Sequence, residues 1–239
     1  MFSYIYHSYI FNPLYNGLVF LIDVFPWMDA GIAVIVFTII VRLLLFPISK
    51  KSIITQVRMK QIEPELAKIR EKTGNDKQAQ ALQTMALYKE RGVSPFSSFF
   101  LLFLQLPIIY ALYSIFIHSG LPEVNKEILY GFVSVPVINM HFLGLIDIGI
   151  RNIPLSIIAG ISQFLQLHFS PATRSVDYKK GASNPADIAQ NMTRNLKYFF
   201  PIMVFLISYK ISSVVALYWT VSSLFTVAQE LYVRKYHIR

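Results

Sequence analysis

The residue whose type is least expected at its position is Arg42. Residues 30–41 carry no charge before it, and residues 43–48 carry none after it. A charged side chain at the centre of a membrane-spanning helix costs about 2.5–3.5 kcal/mol on insertion scales, so such residues mark functional sites. A guanidinium is a permanent cation whose planar donors match a carboxylate. Arg42 therefore indicates a site for an acidic group.

A simpler account of Arg42 needs no site. Arg42 lies five positions before Pro47, about 7–8 Å along a helix axis, so its long side chain could reach the cytoplasmic headgroups. The functional account places the guanidinium in a wet cavity inside a helix bundle. Glu230 is the one acidic residue within a predicted span. Arg42 is thus expected to be solvated or to await an acid from another molecule.

Other polar side chains in the apolar segments are predicted to line the same groove. Thr38 lies one helical turn before Arg42 on the same face, and Gln105 lies beside Pro107, which frees a backbone carbonyl. The remaining groove candidates are Gln163, Tyr218, Trp219 and Ser222. Each alone is explained by hydrogen bonding between helices or by packing. Together with an unpaired arginine they favour one polar groove.

No arrangement of residues suited to covalent catalysis emerges. The five histidines are dispersed without metal-ligand spacing. The chain has no cysteine, which excludes a disulfide scaffold, a cysteine-ligated metal and a thiol nucleophile. Nucleotide-binding and serine-hydrolase motifs are also missing from the sequence. We therefore expect a protein that is not an enzyme, holds no metal or cofactor and does not bind DNA directly.

The composition sets the environment in which these side chains act. The chain has 239 residues, of which 54% are hydrophobic and 15% are charged. Soluble domains carry about 25% charged residues, so this chain has too few charges to cover a soluble surface. Disorder is excluded because it needs low hydrophobicity. The prediction is an all-α integral membrane protein.

The charge-free segments predict a bundle of five membrane-spanning helices, since a span needs about 20 mostly apolar residues. They cover, in order, residues 30–48, 95–118, 154–170, 196–211 and 213–233. Residues 1–29 are expected outside the cytoplasm, with an amphipathic helix over Pro13–Phe25 lying on the outer membrane surface. Its apolar face is predicted from Leu14, Leu18, Leu21, Ile22 and Phe25. A sixth span within residues 1–28 is the alternative.

The basic residues sort to one side of this topology. The net charge is +9, and most Lys and Arg residues fall in the segments 49–94 and 171–195 and in the tail 234–239. The positive-inside rule places those segments in the cytoplasm. The loop 119–153 and the N-terminus are then outside, and the C-terminus is inside.

Segment 49–94 is predicted to form a cytoplasmic helical hairpin. Helices over 64–73 and 77–92 are joined by a turn at Gly74-Asn75-Asp76, with a helical extension from Lys50. Leu66 and Ile69 on one helix and Leu82, Met85 and Ala86 on the other are expected to form the apolar seam. The hairpin's basic residues include Lys68, Arg70, Lys72, Lys77 and Lys89. The hairpin is either a solvated connector or a docking arm for a ribosome, a targeting factor or a nascent chain, close to anionic lipid.

Several blocks of the sequence, in order, resemble the YidC/Oxa/Alb family of membrane protein insertases. The blocks are Thr38–Leu43 with Pro47, Gly74–Lys77 with Met85–Lys89, Leu104–Ile108 with Ala111–Tyr113, Phe142–Asp147 and Leu217–Ser222. Each block alone is weak, whereas five in this order are specific. The resemblance runs from about Pro13 to Tyr232.

The resemblance implies a five-helix bundle with a groove that is open to the cytoplasm and to lipid and closed toward the outside. Arg42 would attract acidic residues, and Thr38, Gln105, Tyr218 and Trp219 would contact the substrate. The implied function is insertion and folding of nascent membrane proteins with short acidic or polar translocated segments, without nucleotide hydrolysis. The implied location is the bacterial plasma membrane.

The implied partners are the ribosome and the lipid bilayer. The resemblance does not decide whether a Sec translocon is also a partner. Two other functions remain as alternatives at this point. A small-molecule transporter or channel would need a polar path across both leaflets. A membrane scaffold would act through the hairpin and would not depend on Arg42.

Overall fold

The computed structural model describes residue 4 and residues 6–74, 76–94, 97–118, 121–170 and 185–237. Most of these residues are helical, which confirms the all-α prediction at that level. The α-helices are α1 (Asn12–Val24), α2 (Ala30–Leu44), α3 (Phe46–Gln61), α4 (Glu63–Thr73), α5 (Lys77–Glu90), α6 (Ser97–Tyr113), α7 (Ile153–Phe169), α8 (Pro185–Ile211) and α9 (Ser213–His237). Short π-helical segments precede α1 and follow α6 (His7–Phe11 and Ser114–His118). Two short strands, β1 (His141–Phe142) and β2 (Ile146–Asp147), form an antiparallel hairpin.

Among the described residues, one helix is by itself long and apolar enough to cross a membrane. It is the Ser213–Tyr236 part of α9. Helices α2 and α3 pass the same test only when taken together, across a bend of 64°. Gln105–Phe116 and Ile153–Phe169 are shorter apolar helices. The number of five spans therefore stays a prediction.

The bend between α2 and α3 divides the segment 30–48 that the sequence analysis treated as one span. Asp29 begins α2 by accepting a hydrogen bond from the Ile32 amide at 2.8 Å, as an N-cap residue does. Helix α2 ends at Leu44, and Pro47 lies in the first turn of α3. Proline lacks an amide hydrogen and is tolerated at such a position, so it fits a new helix better than a continued one.

Helix α1 packs into the main core. Tyr15, Leu18, Val19 and Ile22 on α1 are buried with residues of α2, α6, α7, α8 and α9. The buried face differs from the predicted one, because Leu14 and Leu21 are only half-buried and Phe25 is exposed. The buried face of α1 is rotated relative to the predicted apolar face because it also includes polar side chains such as Asn16.

Those polar side chains bind the loop between α6 and α7. The Asn16 amide donates to the Ile128 oxygen at 2.8 Å, and the Asn16 oxygen accepts from the Tyr130 amide at 2.6 Å. The Tyr15 hydroxyl accepts from the Asn125 amide at 2.8 Å. Helix α1 is therefore held to the loop between α6 and α7 by specific hydrogen bonds as well as by apolar packing. The apolar pattern of α1 did not predict this role of Asn16.

The α4–α5 hairpin has a small core of its own. Ile62 and Leu66 pack against Leu87, Tyr88 and Val93. The carboxylate of Asp76 caps α5 by accepting from the amides of Gln78 and Ala79. Arg91 pairs with both oxygens of Glu65 at 2.9 Å, which links the two ends of the hairpin. Asn75 of the predicted turn lies outside the described residues.

The predicted seam of this hairpin is wrong on the α5 side. Leu82 and Met85 are 70% and 67% exposed, and Ala86 is exposed too. The buried face of α5 instead consists of Gln80, Thr84, Leu87 and Tyr88. This face follows the i, i+4, i+7, i+8 spacing of a helix, but half of it is polar, so an apolar pattern could not reveal it.

Helix α8 is longer than its predicted span. It begins at Pro185, inside the segment 171–195 that was predicted as a cytoplasmic loop. A gap in charge locates the part of a helix that suits lipid, and it does not locate the first helical turn. Arg174, Lys179 and Lys180 of that loop lie outside the described residues, as does Pro95 before α6.

The turn between α8 and α9 contains neither glycine nor proline. Ser213 at the start of α9 donates from its amide and its hydroxyl to the Ile150 oxygen, at 2.9 and 2.6 Å. The Val214 amide donates to the Ile148 oxygen at 3.1 Å. The first turn of α9 is thus bonded to the segment that precedes α7.

Candidate functional site

Arg42 lies in the last turn of α2, where a cation is favourable against the helix dipole. Its side chain is buried, with 5% of its surface exposed. The guanidinium donates to the Gln105 side-chain oxygen on α6 and to the Ser222 hydroxyl on α9. Gln105 also donates to Ser222 at 3.1 Å. One guanidinium therefore joins three helices, and we call these residues, with Tyr218 described next, the arginine cluster.

Tyr218 completes the arginine cluster. It lies one turn before Ser222 on α9, and its hydroxyl lies beside both Ser222 and Arg42. Gln229, further along α9, donates to the backbone oxygen of Arg42 at 3.4 Å. Helix α9 therefore holds Arg42 at both its side chain and its backbone.

The arginine cluster holds a buried cation without a buried anion. Within the described residues, no carboxylate lies within ion-pair distance of Arg42, and its Nε has no hydrogen-bond partner. Gln105, Ser222 and Tyr218 are all neutral. Removing a charge from water is costly when no opposite charge compensates it. The arrangement therefore favours binding of a carboxylate that the described residues do not supply.

Gln163 and Trp219 form a second cluster. The Trp219 indole nitrogen donates to the Gln163 side-chain oxygen at 2.8 Å, and the Ser223 hydroxyl donates to the same oxygen at 3.2 Å. These bonds join α7 to α9. The two clusters lie on adjacent faces of α9, because Trp219 and Ser223 each directly follow a residue of the arginine cluster. The described hydrogen bonds therefore join the predicted groove residues in two groups.

Thr38 lies near the arginine cluster without a described side-chain bond to it. Its hydroxyl donates to the Val34 oxygen of its own helix at 2.6 Å. Thr38 is buried on the face of α2 that also carries Arg42. All seven predicted groove residues are buried. The structure therefore places all seven side chains inside the helix bundle, and a groove lined by them stays a prediction.

A third polar group was missed by the sequence analysis. Ser170, at the end of α7, donates to the Gln56 side-chain oxygen on α3 at 3.3 Å. Ser170 also lies beside the buried carboxylate of Glu230 on α9. The available signal was the spacing of Ser49, Ser52 and Gln56, which places three polar side chains on one face of α3.

The hairpin presents the predicted basic residues to solvent. Lys68, Lys72, Lys77 and Lys89 are exposed, whereas Arg70 is half-buried. Burial raises the pKa of the nearby Glu63 carboxyl, and the cations of Lys60 and Arg70 oppose that rise. Across the described ranges, no group of three or more His, Asp or Glu side chains could hold a metal ion.

Comparison with known proteins identifies the family. The model of the family described as "60Kd inner membrane protein" matches residues 20–239, which include both clusters and the hairpin. The chain belongs to the 60Kd inner membrane protein family. The resemblance to the YidC/Oxa/Alb insertases is thereby confirmed. This family is not enzymatic, and membership does not favour the transporter alternative.

Relatives in the 60Kd inner membrane protein family carry the name membrane protein insertase YidC. The one from Fusobacterium nucleatum is 31% identical over 230 residues, which cover 95% of this chain and 98% of that protein. The one from Clostridium tetani is 31% identical over 212 residues, covering 88% and 84%. YidC 1 of Halalkalibacterium halodurans is 29% identical over 233 residues, covering 96% and 79%.

Proposed function

We propose that this protein inserts nascent membrane proteins into a bacterial inner membrane. Membership of the 60Kd inner membrane protein family and the printed names of the relatives support this function. The observation that carries the mechanism is the buried Arg42, held by neutral side chains and left without a carboxylate. The substrates we propose are chains with short acidic or polar translocated segments.

In the proposed mechanism, a substrate carboxylate replaces neutral partners of Arg42. The hydrogen bonds from Arg42 to Gln105 and Ser222 close the arginine cluster in the absence of substrate. A carboxylate carries the opposite charge that Gln105 and Ser222 lack, and it can accept two parallel hydrogen bonds from one guanidinium, so it can displace these partners. Arg42 then holds the acidic segment partway across the membrane. Burial of the substrate's apolar segment in lipid drives its release.

The proposed topology has five spans, with the N-terminus outside and the C-terminus in the cytoplasm. The excess of basic residues in the segments 49–94 and 171–195 supports this orientation. Helix α1 would lie at the outer membrane surface. The exposed lysines of the hairpin would meet a ribosome, a Sec translocon or anionic lipid. No nucleotide hydrolysis is part of this proposal.

The test is insertion of an acidic-tailed substrate into vesicles that contain purified protein. We expect Arg42→Ala to lower the initial insertion rate about tenfold or more, because a hydrogen bond to a charged group is worth roughly 1.5–3 kcal/mol. Arg42→Lys keeps the charge and is expected to retain part of the rate. A substrate with a neutral tail should depend less on either change.

Arg151→Ala is the matched control, since Arg151 is an exposed arginine of the outer loop. It removes the same charge from the chain without touching the arginine cluster. Wild-type insertion by correctly folded Arg42→Ala protein would falsify the role of Arg42.

A further inference from the structure

The outer loop contains a small hairpin with an apolar tip. Strands β1 and β2 pair His141 with Asp147 and Phe142 with Ile146, and residues 143–145 form the turn. We call residues 141–147 the outer hairpin. The turn sequence Leu-Gly-Leu contains no polar side chain. Leu143 and Leu145 are 62% and 82% exposed, so the tip contributes little to the protein's own core.

Leu143 occupies a backbone conformation that suits glycine better. Its φ is 52°, and that of the following Gly144 is 70°. A positive φ is uncommon for a bulky residue, because its Cβ crowds the backbone. An exposed leucine in such a conformation gains nothing from packing inside the protein. The turn thus places an exposed leucine where a polar or glycine residue is the usual choice.

The outer hairpin is firmly attached to the start of α2. One Asp29 oxygen caps α2, and the other accepts from the Leu143 amide at 2.9 Å. The Phe142 ring covers Gly31 so closely that a Cβ there would lie 2.4 Å from a ring carbon. The apolar tip is therefore presented from a fixed base and is not the end of a loose loop.

The surroundings of the tip are apolar and exposed as well. Asp147 is the one charged residue between Ile128 and Ile150. Ile150 is exposed, and after Arg151 and Asn152 the chain enters α7, whose Ile153, Ile157, Ile158 and Ile161 are also exposed. Since this chain belongs to a membrane protein family, exposed isoleucines of this kind are residues that lipid covers. Several exposed large apolar residues close together in the chain indicate a membrane or protein contact.

We propose that the outer hairpin inserts Leu143 and Leu145 into the outer leaflet of the bilayer. Lipid is favoured over a protein partner because exposed large apolar residues follow the hairpin in the chain at Ile150 and along α7, on a chain that belongs to a membrane protein family. The outer position of the hairpin rests on the topology proposed above, whereas its contact with lipid does not depend on insertase activity.

The absence of cysteine from the chain makes the test direct. Leu145→Cys is labelled with an environment-sensitive fluorophore, and the protein is placed in vesicles of phosphatidylethanolamine and phosphatidylglycerol. Glu123→Cys, at another exposed position of the same loop, is the aqueous control. Ile157→Cys on α7 is the lipid reference. Quenching is measured with nitroxide-bearing lipids and with iodide in the water.

We expect the label at position 145 to be quenched by nitroxide lipids at least threefold more than the label at 123, and to be largely protected from iodide. Iodide quenching at 145 equal to that at 123 would overturn the proposal. Protection from both quenchers would also overturn it, in favour of a protein contact. Leu145→Cys removes an exposed side chain, so a folded protein is expected.

The same vesicles separate this proposal from the proposed function. Insertion by each labelled protein is measured beside the quenching. If the label at 145 is quenched by lipid but insertion does not depend on Arg42, the hairpin contact stands and the insertion mechanism is rejected. If the label at 145 is exposed to water but insertion depends on Arg42, the insertion mechanism stands and the hairpin contact is rejected.

Discussion

At the scale of single residues, the distinctive feature is a buried arginine whose partners are neutral. Arg42 contacts Gln105, Ser222 and Tyr218, and none of these side chains can neutralise it. The partners satisfy its hydrogen bonds in part and leave its charge available. The arginine cluster can therefore stay hydrogen-bonded without a substrate, and its uncompensated charge still favours a substrate that carries an acidic group.

This charge balance predicts the effect of Gln105→Glu. The change keeps the size of the side chain and places a carboxylate beside Arg42, where it competes with a substrate acid. We expect insertion of an acidic-tailed substrate to fall about as far as with Arg42→Ala, while the thermal unfolding midpoint does not fall.

The control for this prediction is Glu123→Gln, which alters one exposed carboxylate of the outer loop. It is expected to insert substrate at the wild-type rate. Undiminished insertion of acidic tails by Gln105→Glu would show that the free charge of Arg42 is not what the substrate uses.

The sequence indicated which polar side chains matter, and it said less about which of them bind one another. Arg42 stood out because one charge interrupts a long apolar stretch. Gln105, Gln163 and Trp219 were found for similar reasons, but helical spacing within one segment could not show that they divide into two clusters. Gln56, Ser170 and Glu230 come from three separate parts of the chain, so no local pattern brings them together.

At the scale of elements, the α4–α5 hairpin shows how a small unit combines a core with a solvated surface. Leu66 is 2% exposed and packs against Leu87 and Tyr88. Leu82, on α5, is also apolar, but it is exposed and does not pack in this core. Apolar periodicity alone treated the two leucines as equivalent, because it cannot separate a packed position from an exposed one.

The two leucines give a matched pair of substitutions. We expect Leu66→Ala to destabilise the hairpin by about 2–5 kcal/mol, as large-to-small changes in cores do. Leu82→Ala should change it by no more than about 0.5 kcal/mol. Hydrogen exchange of α4 and α5 amides measures both. Equal exchange in the two variants would contradict the assigned core.

The bend between α2 and α3 was hidden from the sequence analysis for a related reason. The charge-free segment continues through Leu45 to Ile48, so a charge gap predicts one span. Pro47 was known to lie there, yet its position in the first turn of a new helix becomes clear only from the 64° change of axis.

At the scale of the whole molecule, helix α1 fastens the loop between α6 and α7. Asn16 bridges the backbone on both sides of residue 129, and Tyr15 holds Asn125. The apolar face of α1 is buried in the same core that surrounds α2 and α9. Residues 12–24 and the outer loop therefore form one side of the molecule, although more than 100 positions separate them in the chain.

This arrangement predicts that Asn16→Ala loosens the outer loop. Two long-range hydrogen bonds to partly exposed backbone groups are lost. Each is worth roughly 0.5–1.5 kcal/mol net, so we expect a loss of about 1–3 kcal/mol of unfolding free energy. Faster hydrogen exchange over residues 125–130 should accompany it. Asn12→Ala leaves both bonds in place and serves as control. Wild-type exchange in Asn16→Ala would mean that apolar packing alone holds the loop.

The fixed attachment at Asp29 also determines how the cluster at the other end of α2 can move. Asp29 and Phe142 hold the start of the helix in place, so any tilt of α2 would displace its far end, at Arg42, the most. Arg42 lies about 20 Å from Asp29 at 1.5 Å per residue. A tilt of about 5° would shift Arg42 by about 1.7 Å, which exceeds the tolerance of a hydrogen bond. The hydrogen bonds from Arg42 to α6 and α9 therefore require that α2 keep its angle to these helices within a few degrees.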